Sequence, residues 1–189
     1  MAEQRITLYD KTFELYIPED RIVSAISRIA DDLHRDMEGK NPLFAGILNG
    51  AYLFTAELMS SLPPTFELTF VAYSSYQGDK STGIVQEILP IRKEVKGRTV
   101  ILLEDVIDTG LTLQYIQKRL REKGAEDVRI ATMLLKPKSL QCDLRPDYVG
   151  MEIENDFIVG FGLDYNGLGR SCRNIYKLNT IKGLKDLQD

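Results

Sequence analysis

The run VILLEDVIDTGLTL, Val100 to Leu113, constrains this chain more than any other stretch. Its apolar head, Thr99 to Leu103, suits a buried strand. Three carboxylates follow within five residues: Glu104, Asp105 and Asp108. A turn of small residues, Asp108 to Thr112, then leads into a helical pattern, Leu113 to Lys123, closed by Gly124. The order is strand, acidic strand end, tight loop, helix. Open α/β sheets hold their ligands at the carboxyl ends of strands, so these acids are expected in a ligand site.

The flanking pattern supports that setting. Ile22, Ile26, Ile29, Leu33 and Met37 form an apolar stripe, which predicts a helix from near Pro18 to Gly39, with Glu19 and Asp20 in its first turn. Leu43 to Leu48 is a short apolar strand ending at Asn49-Gly50, and Ala51 to Ser61 reads as a second helix. Phe66 to Tyr73, Ile84 to Ile91, Val128 to Leu135, Tyr148 to Ile153, Ile158 to Phe161 and Ile175 to Leu178 read as strands. Ser74 to Gly83 is a polar loop and Asp164 to Arg170 a glycine-rich one. Strands alternating with helices imply an α/β fold, a mainly parallel central sheet flanked by helices. A chain of 189 residues suits one domain.

Bulk properties exclude some functions. A net charge of -4, with charges spread along the chain, argues against a constitutive nucleic-acid or anionic-membrane binder. Cys142 and Cys172 offer neither a disulfide framework nor zinc spacing and are expected as reduced thiols in the cytoplasm. The start, MAEQRITLYD, lacks an apolar core, so no signal peptide is expected, and no apolar run is long enough for a transmembrane helix.

The loop Asp108-Thr109-Gly110-Leu111-Thr112 can hold an anion on backbone N–H groups at the start of a helix, helped by two threonine hydroxyls. Gly110 permits the positive φ that such a cup needs. Having no Lys or Arg, the loop is not a Walker A motif, and it lacks the dinucleotide fingerprint G-x-G-x-x-G. It suits a phosphate monoester beside carboxylates that face hydroxyls or a metal, as in a ribose 5-phosphate. The plainer reading is that Asp108 or Thr109 caps the helix. Asp-Thr-Gly with Ile158-Val159-Gly160 also invites comparison with aspartic proteases, but Leu111 and the helix that follows argue against it. Taken singly, Lys136 reads as solvated, Phe157 as core, Arg170 as surface, Asp164 as a turn former, and His34 as solvated or packed.

Together these segments resemble a known family. VILLEDVIDTGLTL is similar to the phosphoribosyl-diphosphate motif of the type I phosphoribosyltransferases. Ile47-Leu48-Asn49-Gly50, Ser75-Tyr76 with Ser81-Thr82-Gly83, Leu135-Lys136, the stretch Phe157 to Asn166, and Arg170 resemble, in order, segments of the hypoxanthine-guanine branch. The resemblance implies a core of about residues 18–153 and a small hood from the terminal segments, about 1–17 and 154–189. It implies purine salvage: a 6-oxopurine and 5-phosphoribosyl 1-diphosphate give a nucleoside 5'-monophosphate and pyrophosphate.

The resemblance also implies roles. Glu104 and Asp105 would hold the ribose hydroxyls directly or through Mg²⁺. Asp108 would be the general base near purine N7. Asp108, Thr109, Gly110, Leu111 and Thr112 would bind the 5-phosphate; Leu48, Asn49, Gly50 and Arg170 would serve the pyrophosphate. Asp164 would ligate a second Mg²⁺. Lys136 would donate to purine O6, Phe157 would stack on the base, and the carbonyls of Ile158 and Asp164 would read its far edge. Ser75 and Tyr76 would belong to a mobile lid. Many members carry Lys where this chain has Asn49, which removes one positive charge near pyrophosphate. A homodimer or homotetramer is implied, with no nucleic acid or membrane partner. The alternatives are another base such as xanthine, or a non-catalytic RNA-binding nucleotide sensor on the same fold.

Overall fold

Two sheets organise the chain, and the segments that build them differ. In the computed structural model, residues 4–75 and 85–179 are described. A hairpin comes first, β1 (Arg5–Leu8) and β2 (Lys11–Ile17). Then follow α1 (Glu19–Met37), β3 (Leu43–Leu48), α2 (Tyr52–Ser60), β4 (Glu67–Ser75), β5 (Val85–Leu89) and β6 (Thr99–Ile107). The chain continues as α3 (Leu111–Glu122), β7 (Asp127–Leu135), β8 (Tyr148–Glu152), β9 (Ile158–Val159) and β10 (Ile175–Leu178). The larger sheet runs β5-β4-β3-β6-β7-β8 and is parallel except for β5. The smaller, β1-β2-β10-β9, is antiparallel and joins the first strands to the last.

The large sheet is covered on both faces, which is why its strands read as continuous apolar runs. On one face Ile22, Ile26, Ile29, Leu33 and Met37 of α1 pack with Phe54 and Leu58 of α2 against Phe44, Ile101 and Leu103. On the other, Leu113, Ile116 and Leu120 of α3 pack against Val100, Leu102, Val128 and Ile130. Residues alternate between these two faces along β6, as the pleat requires. Among the described residues, no helix is long and apolar enough to cross a membrane.

One expectation is sharpened by the structure, and two further features depart from expectation. The acidic strand end expected after the apolar head lies within β6, which carries Glu104 and Asp105 and runs on to Ile107, just before Asp108. Pairing with β7 runs through Glu104↔Thr132 and Val106↔Leu134 to Ile107↔Leu135, and that ladder extends the strand past the first acids. The β1–β2 hairpin was legible only as part of a terminal segment, because its charged and polar residues mask an alternation half-buried against β10. The helix expected at Leu113 begins two residues earlier, at Leu111. Tyr76, Ser81, Thr82, Gly83 and Ile84 lie outside the described residues; Ser75 is the last residue of β4.

Candidate active site

β3, β6 and β7 are adjacent and parallel, so their carboxyl ends open on one side of the sheet. Asn49-Gly50 follows β3, Asp108 follows β6 and Lys136 follows β7. Three segments far apart in sequence therefore meet.

Asp105 is buried, and its Oδ1 accepts a hydrogen bond from the Val106 N–H at 2.8 Å. Glu104 Oε1 accepts from the Asp105 N–H at 3.1 Å. Burial pushes the Glu104 carboxyl well above the usual carboxylate range, and the neighbouring Asp105 charge adds to the rise. Burial raises Asp105 too, against the lowering by its hydrogen bonds and by Arg170. Two acids this close in a dry setting resist ionising together until a cation or a set of hydroxyl donors arrives.

The β3 loop is fitted against these acids. The Leu48–Asn49 peptide is cis. A Cβ on Gly50 would overlap the Asp105 carboxylate, and a Cβ on Gly162 would overlap the Gly50 carbonyl. Gly162 also has φ +98°, a second reason for glycine there. The Arg170 carbonyl accepts from the Tyr52 hydroxyl at 3.1 Å and from the Gly162 N–H at 2.9 Å. Thus the loop after β3 is held between Asp105 on one side and the 162–170 loop on the other. Sequence reasoning missed Tyr52 and Gly162. No local pattern marks Tyr52; the Gly160-x-Gly162 spacing was the available hint for the other.

Gly110, at φ +77°, is the N-cap of α3, and no side chain caps that helix. The capping reading of Asp108 and Thr109 is therefore corrected: the Thr109 hydroxyl sits 3.5 Å from the Leu111 N–H, too long for a strong bond. The first-turn N–H groups are left for an anion. A Cβ on Gly110 would press on Leu140, Cys142 and Leu144, and the Gln141 N–H braces the loop by donating to the Thr109 carbonyl at 3.0 Å.

Lys136 Nζ lies 3.6 Å from Asp108 Oδ2. The lysine side chain is only 12% exposed while the aspartate is 56% exposed. Lys136 is thus nearly buried, unlike the solvated residue that its place before a proline suggests. Phe157 also departs from the core reading. It is 46% exposed, with its ring set against Phe13 and Tyr165 at centroid distances of 6.0 and 5.9 Å. Ile158 is buried in β9. Asp164 pairs with Arg170 at 2.6 Å and accepts from the Gly167 N–H at 2.7 Å, and Arg170 also donates to the Gly162 carbonyl at 2.7 Å. Among the described residues no three His, Cys, Asp or Glu side chains come together as a metal cluster, so Asp164 forms no three-acid cage with Glu104 and Asp105.

The raised acid pair carries a pH dependence. The folded chain holds protons that the unfolded chain has already released. The stabilising contribution is full below the ordinary carboxylate range and is lost as pH rises through the raised values. Glu104→Gln is therefore expected to melt higher than the parent at pH 8 and to lose that advantage at pH 4, each kcal/mol relieved being worth about 2–4 °C. Calorimetry of both proteins across pH checks this; a variant less stable than the parent at pH 8 would contradict the buried-charge account.

A family model for a phosphoribosyl transferase domain matches residues 18–166. The chain is 41% identical to the hypoxanthine-guanine phosphoribosyltransferase of Lactococcus lactis over 175 residues, 92% of this chain and 93% of that protein. It is 38% identical to that of Streptococcus mutans, over 87% of this chain and 90% of the relative. Among solved structures, a hypoxanthine phosphoribosyltransferase from Staphylococcus aureus superposes with a TM-score of 0.84 at 32% identity, covering 88% of this chain and 91% of the other. Family model, identity, coverage and superposition agree, and the chain belongs to the phosphoribosyltransferase family, in its hypoxanthine-guanine branch.

Proposed function

We infer that this chain transfers the 5-phosphoribosyl group from 5-phosphoribosyl 1-diphosphate to N9 of hypoxanthine or guanine, with Asp108 and Lys136 reading the purine. The 3.6 Å pairing of Lys136 Nζ with Asp108 Oδ2 carries this reading. A 6-oxopurine bears O6 and N7 side by side on one edge, an acceptor beside a proton-bearing nitrogen. A buried donor next to a solvent-facing acceptor matches that pair. Adenine would place a donor amine against the lysine and leave it without an acceptor.

Roles follow from position. N9 forms a bond to C1 of the sugar as the bond from C1 to the pyrophosphate oxygen breaks, and the N7 proton passes to Asp108. Phe157 offers its exposed face to the base. The open N-terminus of α3 takes the 5-phosphate through the N–H groups of residues 111–112 and the Thr109 and Thr112 hydroxyls, which is why the loop needs no lysine. Arg170 exchanges its Asp164 partner for pyrophosphate oxygens. Leu48, the last residue of β3, and Asn49 and Gly50 in the loop after it line the same end of the sheet.

Glu104 and Asp105 fit a divalent cation. They are adjacent oxygen donors whose ionisation burial opposes, and Mg²⁺ is commonly held by one or two carboxylates, with substrate oxygens and water completing its shell. When bound, Mg²⁺ neutralises charge on the departing pyrophosphate. The family resemblance further implies a cytoplasmic dimer or tetramer, which light scattering of the purified chain would test for size.

The experiment is a spectrophotometric screen of hypoxanthine, guanine, xanthine, adenine and uracil with the sugar diphosphate and Mg²⁺. Consumption of hypoxanthine and guanine is expected; no consumption of any base would overturn the reading in favour of a nucleotide sensor. Lys136→Ser is expected to lower kcat/KM for hypoxanthine about 10–100-fold and to narrow the preference over adenine. An unaltered purine preference would remove Lys136 from the pocket.

A further inference from the structure

The hairpin turn between β1 and β2 lies beside the aromatic wall of the base pocket. The Tyr165 hydroxyl donates to Asp10 Oδ1 at 2.7 Å and accepts from Lys11 Nζ at 2.8 Å. Lys11 and Asp10 also pair directly at 3.5 Å. The Tyr165 hydroxyl is thus closed into a ring of three groups, donating its one proton to Asp10 and accepting from Lys11. Its hydrogen bond is the largest influence on either charge, holding Asp10 below the usual carboxylate range and Lys11 above the usual amine range.

The Tyr165 ring is held as tightly as its hydroxyl. It meets Phe157 at 5.9 Å and 86°, Tyr9 at 6.1 Å and 81°, and the fully buried Phe13 at 6.1 Å and 54°. Edge-to-face contact sets the positive ring edge against the negative face of its neighbour, so it fixes an angle as well as a distance. Among the described residues the aromatic rings set against Phe157 are those of Phe13 and Tyr165, and Phe157 is about half exposed. Tyr165 also follows Asp164 directly and forms reciprocal backbone hydrogen bonds with Leu168, which close the turn containing Asn166 and Gly167.

We propose that Tyr165, clamped by Asp10 and Lys11, is a positioning residue that sets the angle of the Phe157 ring and thereby the affinity for the purine. The inference rests on the reading of Phe157 as the stacking surface. It assigns to the N-terminal hairpin a part in substrate recognition, although no hairpin side chain needs to touch the base. The clamp acts on binding of the base and not on proton transfer, so its signature is a change in purine KM.

The test measures kcat, KM for hypoxanthine and KM for the sugar diphosphate in Tyr165→Phe, Lys11→Met, Lys11→Arg and Phe157→Leu, with Mg²⁺ present and melting curves alongside. Tyr165→Phe and Lys11→Met are expected to raise hypoxanthine KM about 3–10-fold, tenfold being about 1.4 kcal/mol. Their kcat and sugar-diphosphate KM should stay within about twofold. Lys11→Arg, which keeps a cation for the hydroxyl, should restore most of the purine affinity. Phe157→Leu should raise hypoxanthine KM as well. If it does and the clamp variants do not, the clamp is overturned while stacking stands. If Phe157→Leu leaves purine KM unchanged, stacking falls and the clamp with it. Lower melting points and lower kcat with purine KM unmoved would mark the three groups as merely structural and also overturn the proposal.

Discussion

Asp108→Asn is expected to lower kcat about 10²–10⁴-fold, the usual worth of a positioned general base. The amide keeps the size and the hydrogen-bonding reach of the acid but cannot take the N7 proton. Asp108 is 56% exposed and caps no helix, so the fold should tolerate the change. The 5-phosphate cup and the Glu104–Asp105 pair are separate groups, so sugar-diphosphate affinity should move little. Lys136 loses its charged partner but still faces an amide oxygen. Steady-state kinetics and calorimetric titration of the sugar diphosphate distinguish the two effects. Turnover within threefold of the parent would remove Asp108 from the chemistry.

Gly50→Ala carries the second large effect, and its origin is steric. The added methyl would occupy the space of the buried Asp105 carboxylate. The loop cannot retreat freely, because Gly162 is already packed against the Gly50 carbonyl. Either Asp105 swings out or the loop after β3 shifts, and both are elements proposed above to meet the sugar diphosphate. Misplacement by an ångström can cost about 10²-fold, so kcat/KM for the sugar diphosphate should fall by that order. Overpacking should also cost about 1–3 kcal/mol of stability. Gly167→Ala provides the comparison. Its φ of +84° brings conformational cost, yet nothing lies near its Cα for a methyl to strike. It should lose stability with little loss of sugar-diphosphate affinity. Equal kinetics for Gly50→Ala and the parent would mean that the contact with Asp105 is not what makes glycine necessary.

The two predictions draw on different kinds of information. Asp108 was legible because an apolar strand, three acids and a Gly-containing turn stand in thirteen or so consecutive residues, within reach of short-range rules. Gly50 was legible only as part of a turn. That it must be glycine depends on Asp105, more than fifty positions away, being pressed against it. Likewise the acidic strand end was legible but its last residue was not, because the ladder with β7 carries β6 on to Ile107. Lys136 and Phe157 were each read wrongly when taken singly. A lysine before proline proved nearly buried beside Asp108, and a phenylalanine proved half exposed with its ring set against Phe13 and Tyr165, partners that no local pattern names.

By itself the sequence determined the fold class, the alternation of strands and helices, and the acidic strand with its phosphate-sized loop. Period, turn chemistry and capping are local, and they are written in consecutive residues. The tertiary structure alone decided which groups meet: Gly50 with Asp105 and Gly162, Asp108 with Lys136, and Tyr165 with Asp10 and Lys11. Those meetings follow from the order of parallel strands and from an antiparallel sheet that joins the first strands to the last. Their physical reason is packing across long stretches of chain, where burial and close contact, rather than spacing along the sequence, fix which partner each side chain finds.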